Sequence, residues 1–402
     1  MSRRWHLVGA FDRFNYGDLL FPHLVERSLE RLGVAVELRC WSTRAADLSA
    51  HGGKVCGSLR QLQASEARSG DAVVVAGGEV LAARWTGTLR GLVSPRPSLA
   101  LGLARRVLGA ATTDFLARQW LHGRTPQPWL LGPEDVGGAM VAYNAVGAQG
   151  VTSLPPALAR PAQERLAQAR HLAVRDRGSR EALESWGLAP ALAPDSAALV
   201  AELFPRGWLE EQLSPPTTDL LQRRGEGFLV FQTGRFPLRR RLSTVADQLR
   251  QLVDATGRPL VLLPLGLASA HEDPHALAQL AATLGSAAEL APVRTIWDQM
   301  AILAAAGLYA GTSLHGALTA TAFEVPVVGV GSRVSKLEAF LEDWYLGAGP
   351  ESRSPACAPP EDLCPAALDA LEEAEEVRIG RSRRLAKAAW EQARALAAAL
   401  GA

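Results

Sequence analysis

Short, unbroken apolar runs alternate along this chain with longer stretches in which apolar residues return every third or fourth position. An unbroken run reads as a strand buried on both faces, whereas the three-to-four spacing reads as a helix packed along one side. The pattern predicts strands at 5–10, 35–41, 72–76, 139–146 and 171–175, with helices at 19–32 and 179–186. It restarts after residue 227 with strands at 228–232 and 259–264 and helices at 239–256, 274–284 and 294–306. A strand through Leu308-Tyr309-Ala310 and another at 325–330 follow. Strand–helix alternation of this kind specifies mostly parallel, doubly wound sheets. The predicted fold class is α/β, with two Rossmann-like domains facing a cleft.

Two stretches interrupt the alternation. Residues 84–135 mix Pro, Gly, Arg and Trp without a clear period and read as an excursion or a mobile flap. Between Phe204 and Gly227 lie Pro205, Ser214-Pro215-Pro216-Thr217 and Arg223-Arg224-Gly225, the composition of a linker. The expected organisation is a first domain over 1–205, a linker over 206–227, a second domain over 228–350, and a tail over 351–402 ending in a helix at 382–400.

Length supports two domains, since 402 residues exceed what one ordinary core holds. Lys and Arg (42) balance Asp and Glu (41), so no overall field draws the protein to nucleic acid or to an anionic membrane, although local basic sites stay open. Cys40, Cys56, Cys357 and Cys364 form no C-x-x-C pair and no zinc spacing; they read as structural thiols in a reducing cytoplasm. The first apolar run is stopped by Asp12 and Arg13, too soon for a secretory core. Gly311, His315, Gly316, Glu324 and Pro326 break the apolar stretch at 301–330, so no transmembrane segment is expected there.

Chemistry concentrates in the loops that follow strands. After Leu308-Tyr309-Ala310 the chain enters Gly311-Thr312-Ser313 and then Leu314-His315-Gly316, placing an imidazole where a helix begins. The first N–H groups of a helix lack intrahelical partners and carry partial positive charge, so Thr312, Ser313, Leu314, His315 and Gly316 suit a phosphate or a carboxylate. In the first loop, Asn15, Gly17 and Asp18 do not form a G-x-G-x-x-G fingerprint. Either Asn15 or Asp18 caps the helix that follows, or the pair orders a substrate hydroxyl and supplies a base. Gly77-Gly78-Glu79 allows close backbone approach to a ligand, or simply a tight turn. Arg175 clamps an anion or pairs with Asp176 at the surface. Arg235 places a cation on the opposite lip of the cleft or is solvated. His271, Asp273 and His275 are interrupted by Pro274, and no metal site is expected from them.

Taken together, Asn15-Tyr16-Gly17-Asp18, Gly77-Gly78-Glu79, Val174-Arg175-Asp176 with Ser179, Pro194-Asp195-Ser196-Ala197, and Ser313-Leu314-His315-Gly316 with its trailing Val325-Pro326-Val327 resemble the polysaccharide pyruvyl transferase family. The resemblance spans roughly residues 5–345, in the family's order. It implies a fold similar to the GT-B glycosyltransferases and transfer of pyruvate from phosphoenolpyruvate to hydroxyls of a sugar or glycan acceptor, commonly as a ketal. No cofactor beyond the donor is implied. His315 would serve as acid or phosphate donor and Asp18 as base. Some members carry Arg where this chain has Ser313, and Arg235, Arg175, Arg294 or Lys336 are the cations available instead. A nucleotide-sugar-dependent GT-B glycosyltransferase and a non-catalytic binding protein are the rival readings.

Overall fold

The computed structural model describes residues 4–234, 241–268, 273–331, 335–346 and 357–402. It forms two compact units, the first built from the chain up to residue 196 with the C-terminal stretch 388–402, the second from most of the chain between 197 and 387.

The first unit is organised on an eight-stranded sheet. Its strands are β1 (Arg4–Val8), β2 (Glu37–Ser42), β3 (Ala46–Asp47), β4 (Val55–Ser58), β5 (Ala72–Val75), β6 (Met140–Val146), β7 (His171–Val174) and β8 (Ala191–Leu192). Their spatial order is β3-β4-β2-β1-β5-β6-β7-β8, parallel throughout except where β3 runs against β4. The Val73, Val74 and Val75 side chains are fully buried, as expected of strands covered on both faces. The second unit carries β9 (Leu229–Gln232), β10 (Leu260–Leu262), β11 (Ala288–Leu290), β12 (Leu308–Gly311), β13 (Val327–Val330) and β14 (Cys357–Ala358). They lie in the order β11-β10-β9-β12-β13-β14, all parallel. Leu229, Phe231, Leu260, Leu262, Leu308 and Ala310 meet Val245, Leu249 and Leu252 of the helix Leu242–Thr256 in its core.

The α/β reading therefore holds. The strands absent from it, β3, β4, β8, β11 and β14, are two to four residues long, too short to show a period. Residues 84–135 are an excursion between β5 and β6 that contains the helices Trp85–Leu92, Pro95–Leu108 and Ala110–Trp120. Their periodicity is obscured because the faces turned toward Trp85, Leu89, Ala117 and Leu121 are narrow and apolar residues also stand on the outside. The proline-bearing segment 206–227 is mostly helical, with Arg206–Glu210 and Pro215–Arg224. Pro215 occupies the first turn of its helix, where its missing N–H costs nothing. The final helix, Glu375–Ala399, begins ahead of residue 382, with Glu375 and Glu376 in its first turn.

Strand order turns around twice. In the first sheet the chain moves outward from β1 through β2 to β4 and then returns to β5, so β1 and β5 flank a topological switch point. In the second, β9 and β12 flank another. Ligands of open parallel sheets bind beyond the carboxyl ends of the strands at such points. The loops after β1, β5, β9 and β12 are those whose chemistry stood out in the sequence.

Candidate functional site

At the switch point of the first unit, the loop after β1 is pinned by Asp12. Its carboxylate accepts from Arg13 Nε (2.9 Å), the Arg44 N–H (3.3 Å) and the Thr43 hydroxyl. Asn15 occupies the N-cap of the helix Tyr16–Arg31 with extended φ/ψ, but its side chain caps no amide there. Instead Asn15 Nδ2 donates to Asp18 Oδ2 at 2.7 Å, fixing the Asp18 carboxylate in the first turn beside the buried Gly17.

The loop after β5 meets this pair. Gly77 has φ +143°, and a Cβ on it would stand 2.4 Å from the Phe21 ring, so glycine is required twice over. A Cβ on Gly78 would lie 3.6 Å from Asp18 Oδ1, which puts the carboxylate next to the glycine turn. Glu79 Oε2 accepts from Arg175 Nη2 at 2.8 Å. Asp195 Oδ2 lies 3.5 Å from Arg175 Nη1, and Asp176 Oδ2 lies 3.9 Å from its Nε. The Arg175 side chain is 4% exposed, so one buried guanidinium faces three carboxylates. Its charge is already balanced, and it orders Glu79 and Asp195 rather than presenting a free cation to an anion. Asp176 caps the helix Arg177–Glu184, accepting from the Ser179 N–H (2.7 Å), while Ser179 Oγ accepts from the Ala148 N–H (2.7 Å). Structure thus gathers Asn15, Gly17, Asp18, Gly77, Gly78, Glu79, Arg175 and Asp176 at one sheet end, with Asp176 in a framework role.

The switch point of the second unit is built around Gln232, the last residue of β9. Its Oε1 accepts from the Thr312 N–H (3.2 Å), Thr312 Oγ1 (3.4 Å) and the Tyr309 hydroxyl (3.3 Å). Its Nε2 donates to Asp273 Oδ2 (2.7 Å), which also accepts from the N–H groups of Leu265 (3.1 Å) and Gly266 (2.9 Å). The Ser313 N–H donates to the Tyr309 oxygen at 3.3 Å, and Ser313 Oγ accepts from the Gly316 N–H at 3.3 Å as N-cap of the helix Leu314–Ala322. Burial raises the pKa of Tyr309 well above its ordinary value, which keeps the phenol neutral and able to bridge these groups. A Cβ on Gly316 would stand 2.5 Å from the Tyr309 oxygen, so the helix approaches that close only with glycine there.

This arrangement amends the expectation of a ring of unpaired amides. Thr312, Ser313 and Gly316 spend their N–H groups on Gln232, Tyr309 and Ser313, making a rigid turn. His315 stands at the second position of the helix and is 8% exposed, with Leu314 buried before it. Arg235, offered as a cation for this site, lies outside the described residues, as does His271. Asp273 is consumed by Gln232 and the backbone, and among the described residues no three His, Cys, Asp or Glu side chains converge as a metal-ligand set. The sequence reading missed Gln232, Asp273 and Tyr309 as the frame of the turn; a glutamine closing an apolar strand was the available signal.

Comparison with known proteins bears on the family and the fold. A family model described as Polysaccharide pyruvyl transferase matches residues 15–333, from the first-loop asparagine to just beyond β13. No curated protein matches the chain. Among solved structures, the UDP-GlcNAc 2-epimerase from Methanocaldococcus jannaschii superposes with a TM-score of 0.56 at 11% identity, covering 99% of this chain and 100% of that one. The Anabaena protein HepE in complex with UDP and glucose gives a TM-score of 0.54 at 14% identity, covering 99% of each. At such identities the likeness establishes a GT-B-like fold.

Proposed function

Because the chain belongs to the polysaccharide pyruvyl transferase family, we propose that it moves pyruvate from phosphoenolpyruvate onto hydroxyls of a sugar in a polysaccharide or glycan precursor. The supporting observation is the position of His315, on the first turn of the helix that leaves β12 at the switch point of the second sheet, inside the span the family matches.

Phosphoenolpyruvate carries a carboxylate and a phosphate on an enol carbon, and transfer begins with protonation of its methylene carbon. The resulting cation at the central carbon, stabilised by oxygen, is attacked by one sugar hydroxyl, which loses its proton to a base. A second hydroxyl then displaces phosphate and closes a ketal. In this reading His315 delivers the first proton or donates to the phosphate, and the helix N-terminus stabilises negative charge beside it. Thr312, Ser313, Leu314 and Gly316 shape the donor pocket. On the acceptor side Asp18, held by Asn15, takes the hydroxyl proton. Gly17, Gly77 and Gly78 admit the sugar, and Glu79 orients it, itself ordered by Arg175, whose loop Asp176 holds in place.

Purified protein incubated with phosphoenolpyruvate and a panel of sugar acceptors should release inorganic phosphate only when an acceptor is present, as followed by phosphorus NMR. His315→Ala should lower that rate by about 100-fold or more while leaving the melting temperature near that of the parent. Turnover of a UDP-sugar in the absence of phosphoenolpyruvate, with no phosphate released, would overturn the proposal in favour of glycosyl transfer.

A further inference from the structure

Nine large hydrophobic residues among those described stand exposed, and six of them fall between 103 and 120. Leu103, Val107, Leu108, Phe115, Leu116 and Trp120 are each more than half exposed. Leu103 and Val107 are four residues apart on the helix Pro95–Leu108, and Leu116 and Trp120 are four apart on the helix Ala110–Trp120. Side chains at that spacing share a helix face. The opposite faces are accounted for, since Leu101 and Ala117 pack on the Trp85 and Leu89 cluster. A soluble surface seldom gathers this much exposed apolar area without a partner.

Charge narrows the identity of that partner. Between residues 84 and 124 the sequence has seven arginines against one acid, Asp114, a net charge of +6 in a chain whose total is +1. Asp114 is buried and already engaged by Arg84 Nε (3.1 Å) and by the N–H (3.0 Å) and hydroxyl (3.2 Å) of Thr86. Arg105 and Arg106 are exposed between Leu103 and Val107, and Arg118 lies over the Phe115 ring. A second copy of the chain would bring this positive segment against another like it. An anionic lipid surface accepts both components, taking the Trp, Phe and Leu side chains into the acyl boundary and the guanidinium groups among the headgroups.

We propose that the helical pair Pro95–Leu108 and Ala110–Trp120 is a docking surface for an anionic bilayer, binding the protein peripherally. The membrane is touched and not crossed, for no helix among the described residues is long and apolar enough to span it. This inference stands apart from the reaction proposed above, as it rests on a different part of the chain.

Cosedimentation of the full chain with phosphatidylcholine vesicles, with and without phosphatidylglycerol, tests it. Binding is expected only to vesicles containing phosphatidylglycerol, and weaker in high salt. The triple variant F115S/L116S/W120S and the double variant R105A/R106A should each weaken partition by about ten-fold or more. Both replace exposed side chains, so melting temperatures should stay at the parent value; if the triple variant melts early, the arginine pair decides the matter alone. Absence of binding to phosphatidylglycerol vesicles, or partition unchanged by the arginine replacements, overturns the proposal. So does concentration-dependent self-association that the triple variant abolishes in a protein that ignores vesicles.

Discussion

Gly77 shows how much one atom controls at the first sheet end. Its backbone sits at φ +143°, where an L side chain is strained, and an added methyl would stand 2.4 Å from the Phe21 ring. Gly77→Ala should therefore destabilise the protein by about 3 kcal/mol, read as a lowered urea midpoint with an unchanged slope. Arg175 carries the complementary lesson. The sequence leaves it as an anion clamp or a surface partner of Asp176; the structure buries it, and Glu79 and Asp195 join Asp176 from two other loops to neutralise it. Burial raises the thiols of Cys40 and Cys56 to about 12 and about 11, respectively, in keeping with inert structural cysteines.

Among the elements, the helix Ile296–Ala305 depends on one buried carboxylate. Asp298 Oδ2 accepts from the N–H groups of Arg294 (2.9 Å) and Thr295 (3.0 Å) and from Ser214 Oγ (2.9 Å), and its Oδ1 accepts from the Ser214 N–H (2.8 Å). The same aspartate closes a capping box, its N–H donating to Thr295 Oγ1 at 3.1 Å. One residue thus starts this helix and ties to it the segment that precedes the helix Pro215–Arg224. Asp298→Ala leaves three part-buried N–H groups without their acceptor and should cost about 2 kcal/mol by equilibrium urea unfolding. Asp298→Asn, which keeps the shape and an acceptor, should recover part of that loss.

Across the molecule, three histidines that folding holds neutral contribute to its sensitivity to acid. Burial is the largest cause in each case, lowering His6 and His171 below their ordinary value and His23 to about 4. His6 accepts from Trp41 Nε1 (3.0 Å), and His23 Nε2 contacts the Gly52 carbonyl at 2.8 Å. Between about 4 and 6.5 the unfolded chain consequently binds more protons than the native one at His23. Stability at this site is complete above pH about 6.5 and falls as the pH drops through that window. Melting temperatures measured from pH 7 to pH 4 should decline more steeply in the parent than in His23→Gln, because the background of protonating carboxylates is common to both.

Apolar periodicity alone announced the α/β class, the long strands and the loops at their carboxyl ends, because an unbroken run such as 72–76 has few places to go but the middle of a parallel sheet. The same reasoning put Asn15, Asp18, Gly77 and His315 in those loops without any coordinates. It was blind to strand order, which depends on which distant strands pair and which alone identifies β1/β5 and β9/β12 as the switch points. It was equally blind to the occupancy of the donors. That the Thr312 amide is spent on Gln232, and that Glu79 and Asp195 close on Arg175, follows from packing between segments far apart in the chain. Hydrophobicity is inherited residue by residue, whereas pairing of polar groups exists only once the backbone has brought the partners within reach.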